Sequence, residues 1–347
     1  MENGQSSPKL KKRHKGLIAF VGLGAVLTIL VGVLFASWSF LQYTFVSQGP
    51  LAEETVFTVP QGAGTSSIAN KLAAEGIIDS ATMFKLMIRL DKVDGTLKAG
   101  EFMIPPEASL RDVMEVLKDG KAILYPFTAP EGLTSAQIMR AMAKVPTLID
   151  DSPGMPAEGT LLPETYMTPR GMSRSQLVAK MQTAQSDLLD KLWDKRQDGL
   201  PIKTREEAII LASIVEKETG VTSERDKVAG VFINRLNKGM RLQSDPTIIY
   251  GVSQGEPLGR GIRQSEIDRV TDWNTYQMDG LPKTPICNPG REAIAAVLNP
   301  AATEYIYFVA DGTGGHIFGK TLAEHNENVK NWRKIERERK RAAGGGE

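Results

Sequence analysis

Hydrophobic and polar positions divide the chain into three regimes. From Gly16 to Ala52 there is no Asp, Glu, Lys or Arg, and Leu17 to Phe40 is almost wholly apolar. At 1.5 Å per residue such a run crosses a hydrocarbon core of roughly 30 Å, so it predicts a single N-terminal transmembrane helix. A cleaved signal peptide would carry an apolar region of only about 7 to 15 residues, which favours an uncleaved anchor.

From residue 53 the pattern shortens. "TVFTVPQG" reads as a strand, and "TSSIANKLAAEGII" as a helix capped by Ser66 or Ser67, with Ile68, Leu72 and Ala73 on one face. Next come a second helix through "ATMFKLMIRLDK", a strand in "LKAGEFMIPPEA", a helix through "SLRDVMEVLKDG" and a strand in "AILYPFTAPEG". This mixture predicts a small α+β domain over residues 53–124. Its strand-helix-helix-strand order resembles a LysM-type sugar-binding module.

From about Tyr125 the segments lengthen into a larger mixed α+β domain. "SRSQLVAKMQTAQSDLLDKLWDKR" predicts a long helix, "DGLPIKT" a turn, and Thr204 with Glu207 a capping box that starts a helix through "REEAIILASIVEKETG", with Gly220 at its C-terminal end. On that helix Ala208, Leu211, Val215 and Glu218 share one stripe. Glu216 continues the line of Ile209, Ala212 and Ser213, which leads toward solvent. The phase therefore prefers Glu218 as the carboxylate facing the core.

Charge orients these segments. "KLKKRHK" precedes the apolar run and "SQGPLAEE" succeeds it. The positive-inside rule therefore keeps residues 1–15 as a basic cytoplasmic tail, puts the membrane helix at 16–40 and a linker at 41–52, and exports the remainder of the chain. Trp38 and Tyr43 suit an aromatic anchor at the outer interface. The formal net charge is +1, but residues 1–15 carry +4 and 333–347 carry +3, leaving −6 between them. An acidic exported body argues against nucleic acid as a partner. The stretch "RKIERERKRAAGGGE" at 333–347 reads as a solvated helix end and frayed tail.

Composition narrows the chemistry. One cysteine, Cys287, excludes an internal disulfide, and its place between Pro285 and Asn288-Pro289-Gly290 offers nothing to lower a thiol pKa. Three histidines make a dedicated metal site improbable, and no Gly-rich phosphate loop is present; no cofactor is expected. What remains is the carboxylate pair in "ILASIVEKETG". A carboxylate at a helix C-terminus faces the negative end of the macrodipole, and apolar neighbours disfavour its charged form; both raise its pKa. Such an acid can donate a proton to a leaving oxygen. On chemistry alone an ordinary polar helix end, with Lys217 and Arg225 as partners, is the stronger reading.

The run "ASIVEKETGVTSERDKVAGVFINRLNKGMRLQSDPTIIYG", then "NTY", "GLP", "NPG", "NPA", "YIYFVADGTGGHIF" and "EHN", with "EGTLLPETY" upstream, resembles the YceG-like (MltG-type) family of endolytic murein transglycosylases. The likeness covers residues 125–332 and departs at "GLPKTPICNPG", where Lys283, Thr284 and Cys287 replace a Gly-Pro-rich turn. The resemblance implies that Glu218, the second Glu of E-K-E-T, is catalytic. It implies cleavage of the β-1,4 bond between N-acetylmuramic acid and N-acetylglucosamine without water, leaving a 1,6-anhydro end and terminating nascent strands. One carboxylate then suffices, because the muramyl C6 hydroxyl attacks from within the substrate, whereas a hydrolase normally needs two.

Gln243, Asp245, Tyr250, Asn274 and Tyr276 in the matching motifs are the candidate sugar-binding residues, since aromatic faces pack on sugar rings while amides and hydroxyls meet their polar groups. Asn288 reads as structural; His316 and Asn326 are within reach of the site. Asp245 also reads as a turn residue before Pro246, and Tyr250 as a core aromatic. The resemblance further implies a single-pass protein of the bacterial inner membrane with its catalytic domain on the periplasmic side, acting on peptidoglycan strands beside cell-wall synthases (penicillin-binding proteins). Two alternatives stay open: a lysozyme-like hydrolase with Asp245 as second carboxylate, and a membrane-tethered glycan-binding assembly factor without activity.

Overall fold

The structure, a computed structural model, describes residues 9–344; the first eight residues and the last three, and with them parts of the expected basic and frayed tails, lie outside it. The fold is mixed α+β and divides into two compact units, residues 1–123 and 124–347.

The first unit opens with α1 (Lys9–Val46), whose stretch Ile18–Val46 is long and apolar enough to cross a membrane. The expected break at residue 41 is absent: the helix runs on to Val46, and Phe45 is buried in the core of this unit. An aromatic at that position gains more from burial than an extended linker would.

β1 (Thr55–Val59), α2 (Thr65–Ala74), α3 (Ala81–Leu90), β2 (Gly100–Ile104) and α4 (Leu110–Asp119) come next. β1 and β2 pair antiparallel with Phe57 opposite Phe102, and both rings are fully buried against Leu72, Phe84 and Leu117. Gly64 rather than Ser66 or Ser67 is the N-cap of α2, so both serines fall in its first turn. Ser109 and Asp112 form a reciprocal capping box at α4.

The second unit contains β3 (Leu124–Thr128), α5 (Ser135–Ala143), β4 (Thr165–Pro169), α6 (Arg174–Trp193), α7 (Arg205–Glu218), a 3₁₀ turn at Thr222–Glu224 and α8 (Arg225–Asn237). α9 (Asp245–Ser253), α10 (Gln264–Ile267), α11 (Arg291–Leu298), β5 (Tyr307–Ala310), β6 (His316–Gly319) and α12 (Leu322–Gly344) complete it. The strands form two separate antiparallel pairs, β3 with β4 and β5 with β6. "GTGGH" makes the tight turn of the second pair, where the Asp311 carboxylate accepts the N–H groups of Thr313 and Gly315.

The core lies where α7, α8 and α11 pack together, around Leu211, Val215, Phe232 and Val297. α7 is buried on every side from Ala208 to Val215, which explains why its sequence is apolar around most of the circumference. Its start is the expected capping box, Thr204 Oγ1 accepting from the Glu207 N–H at 3.1 Å.

Asn288 ties the loops around this core together. Its Oδ1 accepts the Leu161 N–H at 2.9 Å, while Nδ2 donates to Leu133 O, Ser135 Oγ and Glu158 Oε1. Asn288→Ala strands the buried Leu161 N–H, and we expect a loss of about 2 kcal/mol, read as a fall of about 5 °C in melting temperature. An unchanged melting curve would remove Asn288 from its bracketing role.

α12 does not fray at residue 333. It continues through Gly344, with Ile335 and Trp332 against Gly312 and the Arg339 guanidinium donating to Gly312 O.

Candidate active site

α7 ends on the two glutamates, and the structure separates their roles. Glu216 accepts a hydrogen bond from the Gly290 N–H at 2.9 Å and pairs with Arg225 at 3.2 Å, its side chain only 5% exposed. It does not lead to solvent as the helix phase suggested: Ile209, Ala212 and Ser213 on its line are all buried. Lys217 donates to Gly132 O at 3.2 Å, so two of the three charged residues brace the helix end against neighbouring loops.

Glu218, the last residue of α7, instead lines a cavity of about 720 Å³ together with Gln243, Asp245 and Tyr276. Burial pushes its carboxyl up to about 7; the Asp245 charge adds to the rise, while a hydrogen bond from Ser244 and the Arg235 charge oppose it. Ser244 Oγ donates to Glu218 Oε1 at 2.5 Å. Ser244 is also the N-cap of α9 but leaves that helix's first N–H groups uncapped by its side chain, because its hydroxyl is turned to the glutamate.

The loop "LQSDP" is held in place by "NTY". The Gln243 N–H donates to Thr275 O at 3.1 Å and the Ser244 N–H to Thr275 Oγ1 at 2.9 Å. Gln243 has φ +50°, a left-handed conformation sparsely populated by residues with a Cβ. Held by its Thr275 bond, it lines the cavity. Tyr276 donates its hydroxyl to Asp245 Oδ1 at 2.7 Å, and burial and that carboxylate together raise the phenol's pKa.

Two expected sugar-binding residues lie elsewhere. Asn274 is buried at 1% exposure, its Nδ2 spent on the carbonyls of Glu266, Ile267 and Arg269 and its Oδ1 on the Tyr276 N–H. It places Tyr276 and has no amide free for a sugar. Tyr250 packs edge-on to Trp273 at 5.4 Å and donates to Glu158 Oε2 at 3.2 Å, away from the Glu218 cavity. Glu158 is itself raised by burial and bound by the Ser135 N–H, which makes it part of the scaffold.

Several cavity residues did not stand out in the sequence. Arg235 on α8 is buried; its Nε donates to Ile306 O at 2.7 Å and its Nη1 to Leu242 O at 2.6 Å. Tyr307 stacks on His325 at 4.9 Å, and burial together with the Arg235 charge draws the His325 pKa down, so the imidazole is neutral near pH 7. Asn326, expected within reach of the site, lines the cavity, and Arg333 joins it from the stretch read as a tail. His316 is turned away, pairing through Nδ1 with Glu224 at 2.8 Å. Cys287 is fully buried, and burial pushes its thiol well up, so it is not a nucleophile at neutral pH. No cluster of His, Cys, Asp and Glu suited to a metal ion occurs among the described residues.

A model of the YceG-like family matches residues 57–331 of the chain, taking in the first unit as well as the second. A protein of Streptococcus pneumoniae serotype 2 named endolytic murein transglycosylase is 28% identical over 320 residues, spanning 78% of this chain and 57% of its own length. The chain thus covers little more than half of that relative. A Bacillus subtilis protein of the same name is 27% identical over 300 residues, covering 78% of this chain and 82% of its own. A 2.6 Å crystal structure of a YceG-like protein from Listeria monocytogenes matches with 28% identity and a TM-score of 0.49, covering 80% of this chain and 99% of that one.

Proposed function

The chain belongs to the YceG-like family, and from that premise we propose that it is a membrane-anchored endolytic lytic transglycosylase of peptidoglycan, with Glu218 as its catalytic residue. The observation that carries the reading is the Glu218 carboxyl itself: it faces a cavity and is held near pH 7 by burial, so it is available both as acid and as base.

Protonated Glu218 gives its proton to the oxygen bridging N-acetylmuramic acid and N-acetylglucosamine. The C1–O4 bond breaks and positive charge develops at C1. The muramyl C6 oxygen then bonds to C1 while its proton passes to the Glu218 carboxylate, which restores the acid and closes the 1,6-anhydro ring. Ser244 steadies the charged form between these steps, and the hydroxyl and amide of Tyr276 and Gln243 suit sugar hydroxyls and acetamides. Asp245 shares the cavity, which keeps a lysozyme-like hydrolase as the second reading.

Purified glycan strands digested with wild type and with Glu218→Gln test the proposal. Anhydromuramyl ends, lighter than reducing ends by one water, support the transglycosylase; reducing ends support the hydrolase. No cleavage product from wild type, with a phenotype that survives the substitution, supports the non-enzymatic binding factor; cleavage retained in the variant refutes Glu218 as the catalytic residue. Fragment lengths separate internal from terminal cleavage.

The free enzyme must be protonated at Glu218 to act as acid, so kcat/KM is expected to fall as pH rises through about 7. Ser244→Ala removes a bond that favours the charged form, and we expect it to move that fall to higher pH. A profile unmoved by the substitution, or moved to lower pH, would detach Ser244 from the acid.

α1 is the anchor, with the catalytic unit on the periplasmic side of the inner membrane, where it meets nascent strands; penicillin-binding synthases of the same membrane are the expected partners. The first unit's antiparallel strand pair, separated by two helices, supports a LysM-like glycan-binding role for residues 53–124.

A further inference from the structure

The cavity has a wall that the mechanism above does not use. Leu322, Asn326, Val329 and Arg333 recur at i, i+4, i+7 and i+11 along α12, so they share one face, and all four line the cavity. His325, stacked on Tyr307, marks the near end of this face. Arg333 is exposed at its far end, about 12 Å along the axis from His325 at 1.5 Å per residue.

Two guanidinium groups line this cavity, and they differ in what they have left to offer. Arg235 is committed to the carbonyls of Ile306 and Leu242. The Arg333 side chain has no ion pair among the described residues. It is therefore the cation that a ligand can engage, with a planar fork suited to carboxylates.

Peptidoglycan sugars are neutral where their amines are acetylated. Their carboxylates sit on the muramyl branch, either as the lactyl group of a strand stripped of peptide or along the stem peptide. The lactyl group lies against the ring, whereas the second stem residue stands about 10 Å out, at 3.3–3.6 Å per extended unit. We propose that Arg333 binds a carboxylate of the stem peptide, making the α12 face a stem-recognition subsite. This rests on the transglycosylase reading and assigns its preferred substrate: strands that still carry their stems.

The test uses the full-length protein in detergent and three strand preparations: stem-bearing, amidase-stripped, and stripped with the lactyl carboxylate converted to a methylamide. Arg333→Gln is expected to raise KM for stem-bearing strands about tenfold with kcat held, Arg333→Lys to recover part of the loss, and the defect to shrink as salt rises. Lys334→Gln, a neighbouring exposed cation that does not line the cavity, is expected to leave KM unchanged on every strand. Equal defects of Arg333→Gln on stem-bearing and stripped strands, or none on either, overturn the inference. So does a defect confined to stripped strands and abolished by the methylamide, which assigns Arg333 to the lactyl group. Wild type that releases no anhydro ends sinks the transglycosylase reading instead. Strand co-sedimentation with the same variants then decides the stem preference by itself.

Discussion

Glu218→Gln is expected to fold, to bind glycan strands and to release no measurable anhydromuramyl product, a loss of at least about 10³-fold if the side chain serves as both acid and base. The amide keeps the size of the carboxyl and can still accept from Ser244 Oγ, so a folding defect is not the expected route of inactivation. Stability supplies a second and independent readout of the same group. The folded carboxyl titrates near 7 against 4.5 for the free side chain, so the fold disfavours its charged form. The stability of wild type is therefore fully present below the free value and declines as pH rises toward the folded one. That decline costs up to about 3 kcal/mol above pH 7. Glutamine cannot charge, so the variant is expected to melt higher than wild type at pH 8.5 and close to it near pH 4. Product at the wild-type rate would end the catalytic assignment; a melting difference independent of pH would mean that Glu218 is not held protonated by its surroundings.

What the sequence made legible was governed by local periodicity. The apolar run that becomes α1, the capping box of α7, and the phase that turns Glu218 inward all arise from spacing along one element. Glu216 was misread because the phase of one helix says nothing about what packs on its other side, and there Gly290 and Arg225 arrive from distant segments. Asn274 and Tyr250 show the same limit from the other direction. Both stand in motifs matching the family, yet a motif marks a residue without saying whether it meets the ligand or holds the residue that does. Asn274 holds Tyr276, and Tyr250 holds Glu158.

The cavity's far side was hidden for a related reason. Arg235 sits in "INRLNKG" as an unremarkable cation among apolar residues, and a charge on α8 reads as solvated until the strand that covers it is known. Arg333 was placed in a tail because the basic run around it resembles one. Only the packing of α12 on β5 and β6 brings its face to the cavity.

Arg235→Met is expected to produce the second large effect, on stability and catalysis together. The aliphatic part of the side chain is preserved, but Ile306 O and Leu242 O lose the donors that satisfy them in a buried site. At about 1–3 kcal/mol for each stranded group, a loss of about 2–4 kcal/mol is expected, a fall of roughly 10 °C in melting temperature. Those two carbonyls belong to the strand-pair entrance carrying Tyr307 and to the loop carrying Gln243, so both cavity walls loosen at once. The missing charge acts in the same site: Arg235 favours the ionised form of Glu218, and without it the carboxyl titrates still higher. The alkaline fall of kcat/KM should then move upward while kcat drops, because the acid is better protonated but less well placed against its substrate. Arg235→Lys, which keeps the charge and loses the fork, is expected to hold the pH profile and share the stability defect. If instead both variants melt like wild type, the guanidinium is not the clasp that joins α8 to the Glu218 cavity.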